Sequence, residues 1–231
     1  MNTQVTATGL QVTAKSNSTY LLIDNIDNAT DKSTSADTKA AAFVSGGTNA
    51  ETSVGAGDGN TDKIVYPTYY AAANGTMPGT ADGTTNLSVT AGHWYTANNR
   101  NSDNANNATK NVRDLGTSAP VNYVVTYNAW LTLSQDSEAY TGKIKLTSSV
   151  ASGDAGTSVV IVLNDGTTTE TLKLTNGTQA TTTNNFSITA TSSVAVTFYV
   201  YIDGTTTNVN SDYVNTPNTL TGNLSVQFDL A

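Results

Sequence analysis

Alternation of apolar and polar positions with period two is the strongest regularity in this chain, and that is the period of a half-buried β-strand. From 123 to 133, Tyr123, Val125, Tyr127, Ala129, Leu131 and Leu133 share one face, while Val124, Thr126, Asn128, Trp130 and Thr132 share the other. Ile144, Leu146, Ser148 and Val150 then alternate with Lys143, Lys145, Thr147 and Ser149. Val159, Ile161 and Leu163 run into Asp165-Gly166, a dipeptide suited to hairpin turns because both residues tolerate a left-handed backbone. Leu172 and Leu174 lead to a second turn pair, Asn176-Gly177, with Phe186 and Ile188 beyond it. Val194, Val196, Phe198, Val200 and Ile202 form a strand ending at Asp203-Gly204, and Leu224, Val226, Phe228 and Leu230 form the last. Residues 120–231 therefore hold about seven strands at short spacing, the pattern of a sandwich or jelly roll. Each strand is expected to leave one polar face toward water, as antiparallel sheets do.

The first half is less regular. Val5 and Ala7, then Leu10, Val12 and Ala14, alternate with a phase slip at Gly9 that a β-bulge would accommodate. Tyr20 to Ile23 reads as a buried strand, Asp37 to Val44 as a short helix, and Lys63 to Tyr70 as a strand that Pro67 confines to a sheet edge. Two polar stretches, about 27–62 and 98–111, are expected to be surface insertions. These features predict an all-β, jelly-roll-like antiparallel β-sandwich. Residues 1–231 are expected to form one domain, with strands of the first half completing the sheets of the second.

Composition sharpens the picture. About a fifth of the residues are Thr and about a tenth Asn, while charged residues make up only 12%, half the usual share. Thr suits a pleated surface facing water, and Asn with 18 Gly suits turns. A net charge of −8, with 8 Lys and 2 Arg scattered along the chain, excludes the basic surface that nucleic acid requires. No apolar run approaches the roughly 20 residues of a membrane-spanning helix. The absence of Cys removes disulfide and thiolate chemistry.

Candidate chemistry is sparse. His93, the single histidine, lies in Gly92-His93-Trp94-Tyr95, with no Gly-x-Ser-x-Gly elbow to pair it with a nucleophile. Most of the 15 Asp occupy turn settings and no carboxylate pair stands out, so the expectation is a protein that is not an enzyme. Asp58-Gly59-Asn60-Thr61-Asp62 places oxygen ligands at alternate positions, as a calcium loop does. Lys63 then stands where the EF-hand glycine belongs and Tyr69 where its bidentate glutamate belongs, so Asp58, Asn60 and Asp62 are either an irregular calcium site or a solvated loop. Trp94 and Trp130 could stack on sugar rings, the alternative being that they are core or rim residues. Trp130 lies on the polar face of its strand and is the better placed of the two. A crosslink from Lys143 or Lys145 to Asn is disfavoured because both lysines lie on a polar face.

The N-terminal segment, residues 3–14, has two available fates: pairing within its own sheet, or insertion into the open edge of a neighbouring copy through Val5, Ala7, Leu10 and Val12. The stretch from Val196 to Gly204, the Asn-rich loop to Asn215, and Leu220-Thr221-Gly222-Asn223-Leu224-Ser225-Val226-Gln227-Phe228 resemble the C-terminal part of TasA/camelysin-type proteins. Thr8-Gly9-Leu10-Gln11-Val12 is similar to the first strand of related secreted proteins. That resemblance implies a jelly-roll subunit of extracellular biofilm fibres whose N-terminal strand complements the next subunit, and it carries over no catalytic residue. The expectation is a secreted structural protein at or outside the cell surface that associates with itself into filaments. The rival is a monomeric adhesin or carbohydrate-binding module.

Overall fold

The computed structural model describes residues 5–7, 11–16, 21–24, 40–44, 63–65, 68–78, 86–96, 114–120, 123–133, 138–150, 157–175, 177–189, 192–204, 218–219 and 223–231. Every regular element among them is a strand. The first part of the chain supplies β1 (Val5–Ala7), β2 (Gln11–Ser16), β3 (Leu21–Asp24), β4 (Ala40–Val44), β5 (Lys63–Val65), β6 (Thr68–Tyr70) and β7 (Gly75–Pro78). Next come β8 (Asn86–Val89), β9 (Trp94–Thr96), β10 (Asp114–Gly116), β11 (Val125–Leu133), β12 (Tyr140–Gly142) and β13 (Ile144–Val150). The remainder are β14 (Thr157–Asn164), β15 (Thr169–Thr175), β16 (Gln179–Thr181), β17 (Phe186–Ile188), β18 (Val194–Ile202), β19 (Asn218–Thr219) and β20 (Asn223–Leu230). The fold is all-β, as the alternating pattern requires.

Two five-stranded sheets dominate. Sheet I has the order β15-β14-β18-β11-β3 and sheet II the order β16-β13-β20-β2-β4. Sheet I is antiparallel throughout. Sheet II is mixed, because β2 lies parallel to β20 with Gln11 opposite Asn223 and Ser16 opposite Phe228. One core fills the space between the sheets. Tyr127, Ala129 and Leu131 of β11, Ile161 and Leu163 of β14, and Phe198 of β18 meet Ile144 and Leu146 of β13 and Val226 and Phe228 of β20. The rings of Phe198 and Phe228 meet edge to face, centroids 6.1 Å apart at 84°, an arrangement the ring quadrupoles favour.

Local sequence sets the corners. Asn164 and Thr169 close the β14–β15 hairpin as a pair, and Gly166 takes the left-handed φ of 88° that makes glycine the residue of choice there. The Asp165 carboxylate accepts from the backbone N–H groups of Thr167 and Thr168 at 2.9 and 2.7 Å. At the end of the sandwich, β12 pairs with β17. The Tyr140 hydroxyl there donates to the Lys143 carbonyl at 2.6 Å and lies 2.9 Å from the Ala231 carbonyl. Gly142 is required beside it, since a side chain at that position would collide with the Tyr140 ring.

The structure corrects the sequence reading in several places. Lys63 to Tyr70, expected as one strand, is two, with β5 and β6 in different sheets. Ala40–Val44, expected within a short helix, is strand β4, paired with β2 from Gln11 opposite Val44 to Lys15 opposite Ala40. Alanine's helix preference is a weak prior that a tertiary ladder overrides. The outer face of sheet I is also not uniformly polar. A small sheet of order β10-β9-β6 covers one end of it. There Tyr70 and Trp94 pack on Val124, Val160 and Tyr201 to form a second core. The β7–β8 hairpin closes a third around Met77, Val89 and Tyr95. The polar stretch 98–111 lies outside the described residues, as does 27–62 apart from β4.

The sandwich core should dominate stability. Phe198→Ala, which empties a fully buried site facing Phe228, is expected to lower the unfolding free energy by about 3–5 kcal/mol. Ser88→Ala on the exposed side of β8 should change it by less than about 0.5 kcal/mol. Equilibrium urea unfolding of both variants checks the contrast.

Candidate functional site

The N-terminal strands pair within their own chain. Strand β1 runs parallel to β19, with Val5 opposite Asn218, and antiparallel to β5, with Ala7 opposite Lys63. Strand β2 sits between β20 and β4, its Val12 opposite Leu224 on one side and Phe43 on the other. Leu10 lies outside the described residues. Parallel neighbours cannot be joined by a tight turn, and here they come from opposite ends of the chain. The β2–β20 ladder is thus a purely non-covalent junction within sheet II.

A second constellation, at the joint between sheet I and the small sheet, was not singled out from sequence. Asp203 follows β18 and forms a backbone bridge with Thr68. The Thr68 hydroxyl donates to the Tyr95 carbonyl at 2.6 Å, and Gly204 N–H donates to the Thr68 carbonyl at 2.9 Å. Lys173 of β15 reaches into this joint. Its ammonium donates to Asp203 Oδ2 at 3.1 Å and to the Tyr70 carbonyl at 3.3 Å, and it lies 4.5 Å from the centre of the Tyr69 ring. The side chains of Lys173 and Asp203 are only 18% and 6% exposed. Burial, and then the Asp203 carboxylate, push the Tyr69 hydroxyl above its ordinary range. The same causes in the same order push Tyr201 further up. Lys173 is the clamp: paired with Asp203 of the sandwich, its ammonium also holds the Tyr70 carbonyl of the small sheet and lies over the Tyr69 ring. One signal in the sequence pointed to it, the aromatic Tyr199 and Tyr201 on what should have been the polar face of β18.

Three carboxylates are fixed by donors. Burial pushes Glu170 up, but N–H and side-chain donors of Thr183 and Asn184, at 2.7–3.1 Å, outweigh it and hold the group below its ordinary value. In Asp165 burial is likewise outweighed by backbone N–H groups, including that of Ser187 at 3.0 Å. Asp114 is held low against desolvation by the Gly116 N–H and then by His93, whose Nδ1 lies 2.8 Å away. That pair is the observed environment of His93, on the exposed side of the small sheet. Among the described residues no three His, Asp or Glu side chains are grouped as metal ligands. Asp58, Asn60 and Asp62 lie outside them.

The two tryptophans part company. Trp94 is 1% exposed, with Tyr70 at 4.8 Å and Tyr201 at 5.1 Å between ring centres. Its faces are occupied by the second core and cannot stack on a ligand. Trp130 is half-buried on the outer face of sheet I, opposite Ala195 on one side and Asp24 on the other. Comparison with protein-family models, with curated proteins and with solved structures gave no match.

Lys173→Met leaves a buried carboxylate without its cation. The expected loss is on the order of 2 kcal/mol, between surface and fully buried pairs. Adding Asp203→Asn should recover part of it, which urea unfolding followed by far-UV circular dichroism will show. Glu170 gives a pH signature. Its folded-state pKa is depressed below the ordinary 4.5, so its stabilisation is complete above that value and is lost as pH falls through the lower folded value. Glu170→Gln should be less stable than the parent at pH 7, with the gap narrowing on acidification in a series of melting curves.

Proposed function

We propose that this chain is an extracellular structural subunit that joins copies of itself into a filament by exchanging its N-terminal strand. The observation that carries the reading is the place of β2, paired in parallel with the last strand and linked to it by no hairpin. A second copy's β2 can occupy the same position with the same hydrogen bonds, so exchange replaces one ladder by an identical one. Passing the strand from copy to copy is a head-to-tail contact, and such contacts grow into open fibres when they do not close a ring. A low-charge, Thr-rich exterior suits dense packing of subunits outside the cell, and the resemblance of the C-terminal strands to TasA/camelysin-type fibre proteins supports the same reading. The jelly-roll form of the sandwich belongs to this proposal as well.

Deleting residues 1–14 should abolish filaments seen by electron microscopy, and unchanged filaments would rule the mechanism out. A second variant guards against loss of folding. Thr13 and Ser225 are partners across the β2–β20 ladder, and the chain has no Cys of its own. Thr13→Cys/Ser225→Cys should stay monomeric when oxidised and polymerise when reduced. Equal polymerisation in both states would show that β2 stays at home.

A further inference from the structure

Among the described residues the small sheet covers one end of the outer face of sheet I; toward the other end stands Trp130, half-buried and part of none of the three apolar cores. Two rows of residues cross the strands here. Trp130 on β11, Ala195 on β18 and Asn164 on β14 form one row by their pairing register. Asn128, Thr197 and Val162 form the next. These positions are half-buried or exposed. Strand geometry puts Asn128 about 7 Å from Trp130 along β11, and Asn164 about 10 Å away across the sheet. Ala195 between them is small, so the row dips beside the indole and leaves room for a flat ring.

The amides are held in one orientation. The Thr197 hydroxyl donates to Asn128 Oδ1 at 3.1 Å, and the Gly166 N–H donates to Asn164 Oδ1 at 2.7 Å. With each side-chain oxygen engaged internally, each NH2 group is left as a fixed donor, and among the described residues neither donates to another group. An aromatic surface flanked by pre-set amide donors matches a ligand with an apolar ring face and hydroxyls at its rim.

Charge chooses among such ligands. None of these six residues is ionisable, the acid Asp24 ends the Trp130 row, and the whole chain carries −8. Acidic polymers are therefore repelled. We infer that this strip binds a neutral polysaccharide chain, with a sugar ring stacked on Trp130 and its hydroxyls accepting from Asn128 and Asn164. The site lies on sheet I and does not involve β2, so it stands whether or not the chain forms filaments.

Co-sedimentation with insoluble cellulose, chitin and β-1,3-glucan tests it. The full-length protein should be retained by at least one of the three, with little dependence on salt, since no ion pairs are made. Trp130→Ala should weaken that retention at least tenfold, and Asn164→Ala should weaken it about threefold. Gln227→Ala, on the outer face of sheet II, should leave it unchanged. Because Trp94 is buried, soluble fragments of the retained polymer should shift the emission of Trp130 in the parent and have no effect in Trp130→Ala. If Trp130→Ala loses the parent's circular dichroism, Asn164→Ala and the emission shift decide the matter. Retention by none of the three polymers overturns the inference, as does equal retention of the parent and a folded Trp130→Ala variant.

Discussion

Strand β18 buries side chains in both directions, and the rest of the molecule is arranged to permit it. Val196, Phe198 and Val200 point into the sandwich, where sheet II supplies Phe228 and Val226. Tyr201 points the other way and must be covered as well; β6 and β9 supply Tyr70 and Trp94 for that purpose. A strand apolar on both faces cannot sit in a two-layer protein with one wet face. It demands a third layer. The Lys173–Asp203 pair belongs to the same constraint, since covering Tyr201 draws two charges partly out of water, where they must be paired or be destabilising.

This arrangement explains which parts were legible beforehand. The strands with clean period two, β11, β13, β14, β18 and β20, stand where alternation placed them, because one face of each lies on the main core and tertiary packing agrees with local pattern. The Asp165-Gly166 hairpin was equally plain, since its chemistry is contained within a few neighbouring residues. What could not be read were relations between distant residues. Lys173 and Asp203 are 30 residues apart, and Thr68 and Tyr95 are 27 apart; no periodicity connects them. The parallel meeting of the first and last long strands is the extreme case.

The residues whose local signal was ambiguous or misleading follow the same logic. For Trp94 the sequence left two readings open, a stacking aromatic or a core residue, and its burial decides for the core. In space it lies under the layer that Tyr201 requires. Trp130, on the polar face of a regularly alternating strand, lies on the part of sheet I beyond that layer. Ala40–Val44 resembled a helix because alanine propensity was the only local signal, and pairing with β2 decided otherwise. In each instance a local preference was genuine and a non-local demand exceeded it.

The borders of the two sheets are not equivalent. Strand β15 forms one border of sheet I and carries Glu170 and Lys173, both bound to fixed partners inside the molecule. A foreign strand arriving there would meet tethered charges that it could not displace without unpairing them. The opposite borders, β3 and β4, carry Leu21-Leu22-Ile23-Asp24 and Ala40-Ala41-Ala42-Phe43-Val44, where a lone aspartate is the sole charge. The β15 border of sheet I is therefore guarded by internally paired charges, and the β3 border opposite it is not.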